Sequence, residues 1–350
     1  MPAYVARPAI ALPENVVTTE DICDDIERHH QGNTKLATYL RVARASGVRS
    51  RRFTRPLDSP TVSGSAGITE RNLVAFDDSA RLAVEAARTA LDHAGLRPSD
   101  IDSVITSHTT SWTTPGLDVH LVNALGLRPT VRRTPMASLG CGGGAQLLAR
   151  AADELAARPG SRVLVVAAET LSTVYRHEDT ELSSMIYKAL FGDGAGACVV
   201  TDEQRTPGFR IDGSWEYLLP NSLDRYWCRV DDLGLHFDST RKGVGAAGEV
   251  MPELRGWLET VGFPAVPEWA VVHAGGPRIL EDVAERLGID EKLLRHSWSS
   301  LENCGNLGGV SVLDVLARTY EEPPGTEAPG VLVAFGPGFF ATACQGVWLR

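Results

Sequence analysis

Short apolar runs of strand length alternate along the chain with stretches whose apolar residues recur at helical spacing, the pattern of a layered α/β protein. Ser79 to Leu96 reads as a helix, with Ser79 as its cap, Leu82, Ala83, Ala86, Ala90 and Leu91 on one face, and Gly95 as its stop. IDSVITSHTT reads as a buried strand entering a loop, RRTPMASLG as a second strand, AQLLARAADELAA as a helix of strong formers, and SRVLVVAAE as a fully buried strand. ALFGDGAGACVV closes this first series with a turn and a strand.

A second series repeats the order: EWAVVHAGG as strand and loop, PRILEDVAERLG and VSVLDVLARTYEE as helices, then GVLVAFGPG and ACQGVWLR as strands. The echo is structural rather than literal, with IDSVITSHTT matched to EWAVVHAGG, and it suggests an internal duplication. The reading divides the chain into residues 1–210 and 211–350, with TPGFRIDGSWEYLLPNS at the junction. PLDSPTVSGSAGITE and EEPPGTEAPG, rich in Pro, Gly and Ser, read as loops.

Composition narrows the function. At 350 residues the chain has room for roughly two units of about 150 residues each. Acidic residues outnumber basic ones 44 to 34, for a net charge of −10, which argues against nucleic acid as a main partner. No apolar run approaches the ~20 residues needed to span a bilayer, and the start lacks the basic and apolar regions of a secretory signal, so the expectation is a cytoplasmic protein. Six cysteines are scattered without a CxxC pair, so neither structural zinc nor a disulfide scaffold is expected. His29 and His30 are adjacent in a polar helical stretch, and HxxxH, HExxH and HxH are absent, so no metal site is expected. GDGAG and GCGGGA match neither nucleotide-loop pattern, and no GxSxG elbow occurs.

Three residues stand out for their chemistry. Cys141 follows a strand, sits in SLGCGGGA and precedes a helix, an address where backbone N–H groups and the helix dipole favour a thiolate. A small Cys packed in a Gly-rich turn is the alternative. His273 ends the apolar run WAVV and opens HAGGP, a place from which a histidine can pair with a thiolate, move a proton or donate to an oxyanion; a core histidine is the alternative. Asn306 lies between glycines in NCGNLGGV, where its amide can donate without titrating or can cap a helix.

Together LGCGGG, ALFGDGAG, VVHAGGPRIL, CGNLGGVSVLDVL and VAFGPG resemble, in order and spacing, the type III polyketide synthases of the thiolase superfamily, chalcone synthase-like and of the bacterial branch. RPAIALPENVVTTEDI resembles the N-terminus of those bacterial members. The resemblance implies an α/β, five-layered αβαβα thiolase-like fold of two duplicated halves, the first bearing the nucleophilic Cys and the second His and Asn. It implies that Cys141 carries the acyl chain, that His273 is its proton partner and that Asn306 is the second donor for decarboxylation. Phe191 and Phe237 would be gatekeeper aromatics, with core packing as the alternative. Gly336 and Gly338 would flank the oxyanion loop, Gly308 would border the pocket, and Thr114 would reach toward a neighbouring cavity in a homodimer. Arg41, with Arg44 and Arg278 as alternatives, would meet coenzyme A phosphates or an acyl carrier protein; solvated helix faces are the plain reading of these arginines.

The implied reaction is iterative decarboxylative condensation of malonyl-CoA onto an acyl-CoA starter held on Cys141, followed by cyclisation to an aromatic or pyrone product, with coenzyme A thioesters as substrates and no cofactor. A ketosynthase III-like single condensation, an acyltransferase and a non-catalytic ligand-binding homologue are the alternatives. Several positions depart from the family pattern. Ala145 replaces a usual Gly; Gly308 and Gly309 stand where many relatives carry side chains, which suggests a wider pocket. Trp112 and Thr109 differ from the plant and naphthalene-forming members, so neither subgroup's product carries over.

Overall fold

The computed structural model describes residues 2–350. Strand Arg162–Glu169 is buried along almost its whole length because both faces are covered: Val163, Val165 and Ala167 point into one core, and Leu164, Val166 and Ala168 into another. It pairs in parallel with Ser103–His108 and antiparallel with Gly194–Thr201. Downstream, Trp269–Val272 pairs in parallel with Pro329–Gly336, which pairs antiparallel with Phe340–Leu349. The two matched segments, IDSVITSHTT and EWAVVHAGG, therefore occupy equivalent places, each a parallel neighbour of a strand that continues antiparallel.

Alternation in the second series again splits two cores, with Leu332 and Ala334 facing one and Val331, Val333 and Phe335 the other. The core holding Leu332 is the same one that holds Val163 and Val165. Helices Gly143–Ala157 and Ser311–Glu321 fill it, so they are sandwiched between the two sheet regions. Helices Ile68–Ala94 and Leu117–Leu125 cover one outer face, and Ala246–Thr260 and Pro277–Leu287 the other. The result is the five-layered αβαβα arrangement of the thiolase fold.

The stretch read as the junction contains a strand. Gly208–Leu218 pairs antiparallel with Phe340–Leu349 on one side and with Ala3–Val5 on the other, joining both regions into one 10-stranded sheet. Ser79 is likewise no cap. The helix begins at Ile68 after Gly67, so Ser79 lies buried in its interior, with Oγ 2.7 Å from Thr170 Oγ1. Gly95 does end it, at φ 63°, the left-handed geometry that glycine adopts without Cβ strain. Of the two segments read as loops, the first contains a short helix, Pro60–Ser63. No helix among the described residues is long and apolar enough to cross a membrane.

Candidate active site

Cys141 occupies the address its sequence predicts. After strand Arg132–Ala137 the chain turns through Gly140–Gly142, in which Gly140 has φ +50°, and enters helix Gly143–Ala157 directly. The turn lies tight against its surroundings: a Cβ at Gly142 would come within 2.4 Å of the Phe340 ring. Thr109 Oγ1 accepts the Gly140 N–H at 3.0 Å and holds the turn from the neighbouring loop.

His273 follows strand Trp269–Val272 at the C-terminal end of the sheet, where its N–H still donates to Val333 O at 3.0 Å. Its ring lies against Gly275, where a Cβ would be 2.5 Å from Cε1, which explains the need for glycine in HAGG. Asn306 is set between helices Arg295–Cys304 and Ser311–Glu321 and caps neither. Its N–H donates to Leu190 O at 2.8 Å and its carbonyl accepts from Gly192 N at 3.1 Å.

The Asn306 side chain joins the other two. Oδ1 accepts the Gly308 N–H at 2.8 Å, which fixes the amide so that Nδ2 faces the Cys141 sulfur at 3.6 Å. His273 Nε2 lies 3.1 Å from that same Oδ1 and so carries the hydrogen. His273 Nδ1 is buried without a hydrogen-bond partner, so the contact with Asn306 Oδ1 alone sets the resting tautomer, with hydrogen on Nε2. Burial keeps His273 down at about 4, with Asn306 opposing, and pushes the Cys141 thiol up to about 11 against Asn306 and Tyr226. Enclosure thus works against what the helix terminus favours, a conflict that the sequence address alone does not reveal.

These groups share a cavity of about 370 Å³. Gly336 lines it; Gly338 lies in the same loop at φ +68°, and its carbonyl accepts from Ser222 Oγ at 2.5 Å. Phe191 and Phe237, the gatekeeper candidates, are set back from its wall. They meet edge to face at 5.3 Å inside an aromatic cluster, and Tyr187 and Tyr226 lie in front of them. Tyr187 stacks on Phe191 at 5.0 Å, Tyr226 stacks on Phe237 at 5.7 Å, and the Tyr226 hydroxyl lies 4.0 Å from the sulfur. Tyrosine takes the front position because it has an apolar ring to stack and a hydroxyl to present to the cavity.

Gly308 does not border the cavity either, and with Gly309 it does not widen it. A Cβ at Gly308 would lie 3.2 Å from Glu169 Cγ, and the Gly309 carbonyl sits 2.2 Å from where a Gly144 Cβ would be. Bare backbone here lets the Cys141 helix and the Asn306 turn close on each other. Glu169, which sequence reasoning passed over, is buried behind the sulfur with Oε2 accepting from Thr109 N at 3.2 Å; burial pushes it up to about 8.

Of the arginines, Arg278 lines the mouth and pairs with Asp282 at 2.7 Å. Arg44 points to Glu20 at 3.2 Å, away from the cavity. Arg41 is exposed beside Val42, which does line it. Thr114 lies elsewhere, in a second cavity with Trp112 and Met136.

A thiolase-type fold with an enclosed Cys, His and Asn at the end of its central helix defines the class: a condensing enzyme. Residues 2–204 match the N-terminal domain of chalcone and stilbene synthases, and residues 211–347 match the C-terminal domain. The chain is 33% identical over 351 residues to 1,3,6,8-tetrahydroxynaphthalene synthase of Streptomyces griseus, covering 99% of this chain and 93% of that protein. It is 32% identical over 344 residues to phloroglucinol synthase of Pseudomonas fluorescens, covering 97% and 98%. The solved tetrahydroxynaphthalene synthase of Streptomyces coelicolor superposes with a TM-score of 0.94 at 32% identity, over 99% of each chain. Germicidin synthase of the same organism superposes with a TM-score of 0.93 at 32% identity, over all of both chains. The chain belongs to the chalcone and stilbene synthase family, and is a type III polyketide synthase of acyltransferase type.

Proposed function

We propose that Cys141, His273 and Asn306 carry out iterative condensation of malonyl-CoA units on an acyl starter. The observation that carries this reading is the Asn306 carboxamide, buried and fixed between the sulfur and the imidazole inside one cavity. Loading forms the bond from Cys141 Sγ to the acyl carbon and releases coenzyme A thiol, the proton passing from sulfur through His273 to the leaving thiolate. Loading draws on the tautomer with hydrogen on Nδ1, which gives up the contact with Asn306 Oδ1 and leaves Nε2 as the base. The resting tautomer, with hydrogen on Nε2, suits the next step. Loss of carbon dioxide from malonyl-CoA puts charge on the thioester oxygen, where His273 Nε2–H and Asn306 Nδ2–H donate in a site without bulk water. The carbanion then attacks the Cys141 thioester, with the Cys141 backbone N–H and the Gly336–Gly338 loop placed to receive the new oxyanion. Repetition and ring closure give an aromatic or pyrone product. The scheme calls on no metal or redox cofactor.

Arg278 and Arg41 are the cations best placed for coenzyme A phosphates, and the same patch would meet an acidic carrier protein. A homodimer would cover the cavity around Thr114, and a cytoplasmic location accords with six free cysteines. The test is incubation of pure protein with malonyl-CoA and a panel of acyl-CoA starters, followed by product mass spectrometry. Products extended by several two-carbon units are expected; acyl transfer without release of carbon dioxide would overturn the proposal.

A further inference from the structure

Apart from the catalytic cavity, a second cluster of chemically able side chains lies where the N-terminal helix meets the segment after strand Arg162–Glu169. Helix Thr19–His29 carries Asp25 and His29 one turn apart, and His177 packs against both. Asp25 Oδ1 lies 3.3 Å from His29 Nδ1 and 3.3 Å from His177 Nε2. One donor atom from each of the three residues falls within 4.8 Å of the others.

The Asp25–His177 geometry is poor for hydrogen bonding and spaced for a metal ion, and the His29 and His177 rings, 3.9 Å apart at 30°, open from this stack on binding. Asp25 is 2% exposed, yet its Oδ1 and the facing His177 Nε2 are both buried without a hydrogen-bond partner. A carboxylate and an imidazole sharing a proton close to about 2.7–2.9 Å in line. A separation of 3.3 Å matches instead the edge of a tetrahedron whose centre is about 2.0–2.1 Å from each ligand atom. The surroundings already hold the Asp25 carboxylate in place. Asp25 Oδ2 accepts the Tyr175 hydroxyl at 2.6 Å; His29 ligates through Nδ1, the nitrogen 3.3 Å from Asp25 Oδ1, with the ring hydrogen on Nε2 and the 2.9 Å contact to the Asp25 carbonyl given up.

We propose that Asp25, His29 and His177 form a site for one divalent transition-metal ion of the zinc class, with water completing its coordination. Asp21, Asp24 and Asp58 line the surface cavity that reaches Asp25; Arg28 faces Asp58 there at 3.9 Å, and the remaining carboxylates draw cations toward the site. Lys188 acts against binding. Its Nζ donates to His177 O at 3.3 Å and lies 5.1 Å over the Tyr175 ring. Because Lys188 belongs to helix Leu182–Leu190, which also supplies Tyr187 to the catalytic cavity, a bound ion would tie the N-terminal helix to the segment leading into that wall. Sequence reading sought paired histidines at helical spacing and so passed over an Asp and a His at the same spacing, completed by a residue far along the chain.

The test is titration of EDTA-stripped full-length protein with Co²⁺, read by visible absorption, in the wild type and in a Cys141→Ala background that removes the catalytic thiol as a competing ligand. One Co²⁺ per chain is expected, with a tetrahedral d–d band and no sulfur charge-transfer band, unchanged by Cys141→Ala. His29→Ala and His177→Ala should each weaken binding by at least about tenfold, the loss that even an outer-shell partner of a metal causes. His29→Gln serves as the milder variant, since that side chain is 24% exposed and its replacement leaves the packing in place. Melting in Zn²⁺ gives a second readout, with a rise in wild type that both histidine variants lack. Absence of a stoichiometric band, a band that survives all three histidine variants, or a band lost on Cys141→Ala would each overturn the proposal.

Discussion

Asn306 sets the chemistry at the residue scale, because the Gly308 N–H fixes which end of its amide meets the sulfur. Replacing it with Ala removes the Nδ2–H donor to Cys141, so the pH midpoint for alkylation of that thiol by iodoacetamide should move up by about one unit, the size of shift expected for a lost hydrogen bond of about 1.4 kcal/mol. An unchanged midpoint would mean that the amide does not stabilise the thiolate. His273→Ala and Asn306→Ala should each slow carbon dioxide release from malonyl-CoA by ~10²–10³. Cys141→Ala should leave no acyl adduct on the intact protein by mass spectrometry. The three central residues were legible because each follows a strand or turn with glycines beside it. The tyrosines were not. Tyr226 stands in DRYWCRV, a stretch with no motif, and its place in front of Phe237 depends on hairpin Tyr226–Asp231 and Gly234–Ser239, whose Asp- and Gly-marked turn says nothing of where the hairpin packs.

At the scale of elements, the glycine contact between helix Gly143–Ala157 and the Asn306 turn decides whether sulfur and amide meet. A Cβ on Gly144 would sit 2.2 Å from Gly309 O and 2.6 Å from Val312 Cγ2, far inside contact distance. Gly144→Ala should therefore cost about 1–3 kcal/mol in urea unfolding and lower the rate of decarboxylation, since the backbone must shift to make room. Full stability and rate in that variant would show that the approach is loose. Glu169, on the strand behind, gives a pH prediction. Its pKa near 8 lies above the ordinary value of 4.5, so between those limits the folded chain holds a proton that the unfolded chain has released. Stability should fall as pH rises through that window, by up to about 1.4 kcal/mol per unit from this group, and Glu169→Gln should flatten the slope. Equal slopes in both proteins would show that the carboxyl is not held neutral. Strand alternation made most elements readable from sequence. Gly208–Leu218 also alternates, through Phe209, Ile211, Trp215 and Tyr217, but its Pro and Gly neighbours and its position midway marked a junction and hid the strand that joins the two regions of the sheet.

For the molecule as a whole, the 10-stranded sheet ends on strand Arg132–Ala137, whose residues are mostly exposed. An open edge of this kind invites pairing unless something covers it. Beside it lies the cavity containing Thr114, Pro135 and Met136, with Trp112 45% exposed although Asn72 holds its backbone at both N–H and carbonyl. A large aromatic side chain held outward at a sheet edge is what a second copy of the chain would bury. Sedimentation of the wild type should accordingly give twice the mass of one chain. Trp112→Glu should give single chains, because a carboxylate buried without a partner on each side of the interface costs more than the lost apolar contact. Acyl loading should survive in that variant, since Cys141, His273 and Asn306 all come from one chain and meet in a cavity separate from the one around Thr114. Product length should change instead, through loss of whatever the neighbouring Thr114 contributes. A wild type that sediments as a single chain would remove the interface, and loss of loading in a folded, monomeric Trp112→Glu would show that each catalytic set depends on its neighbour.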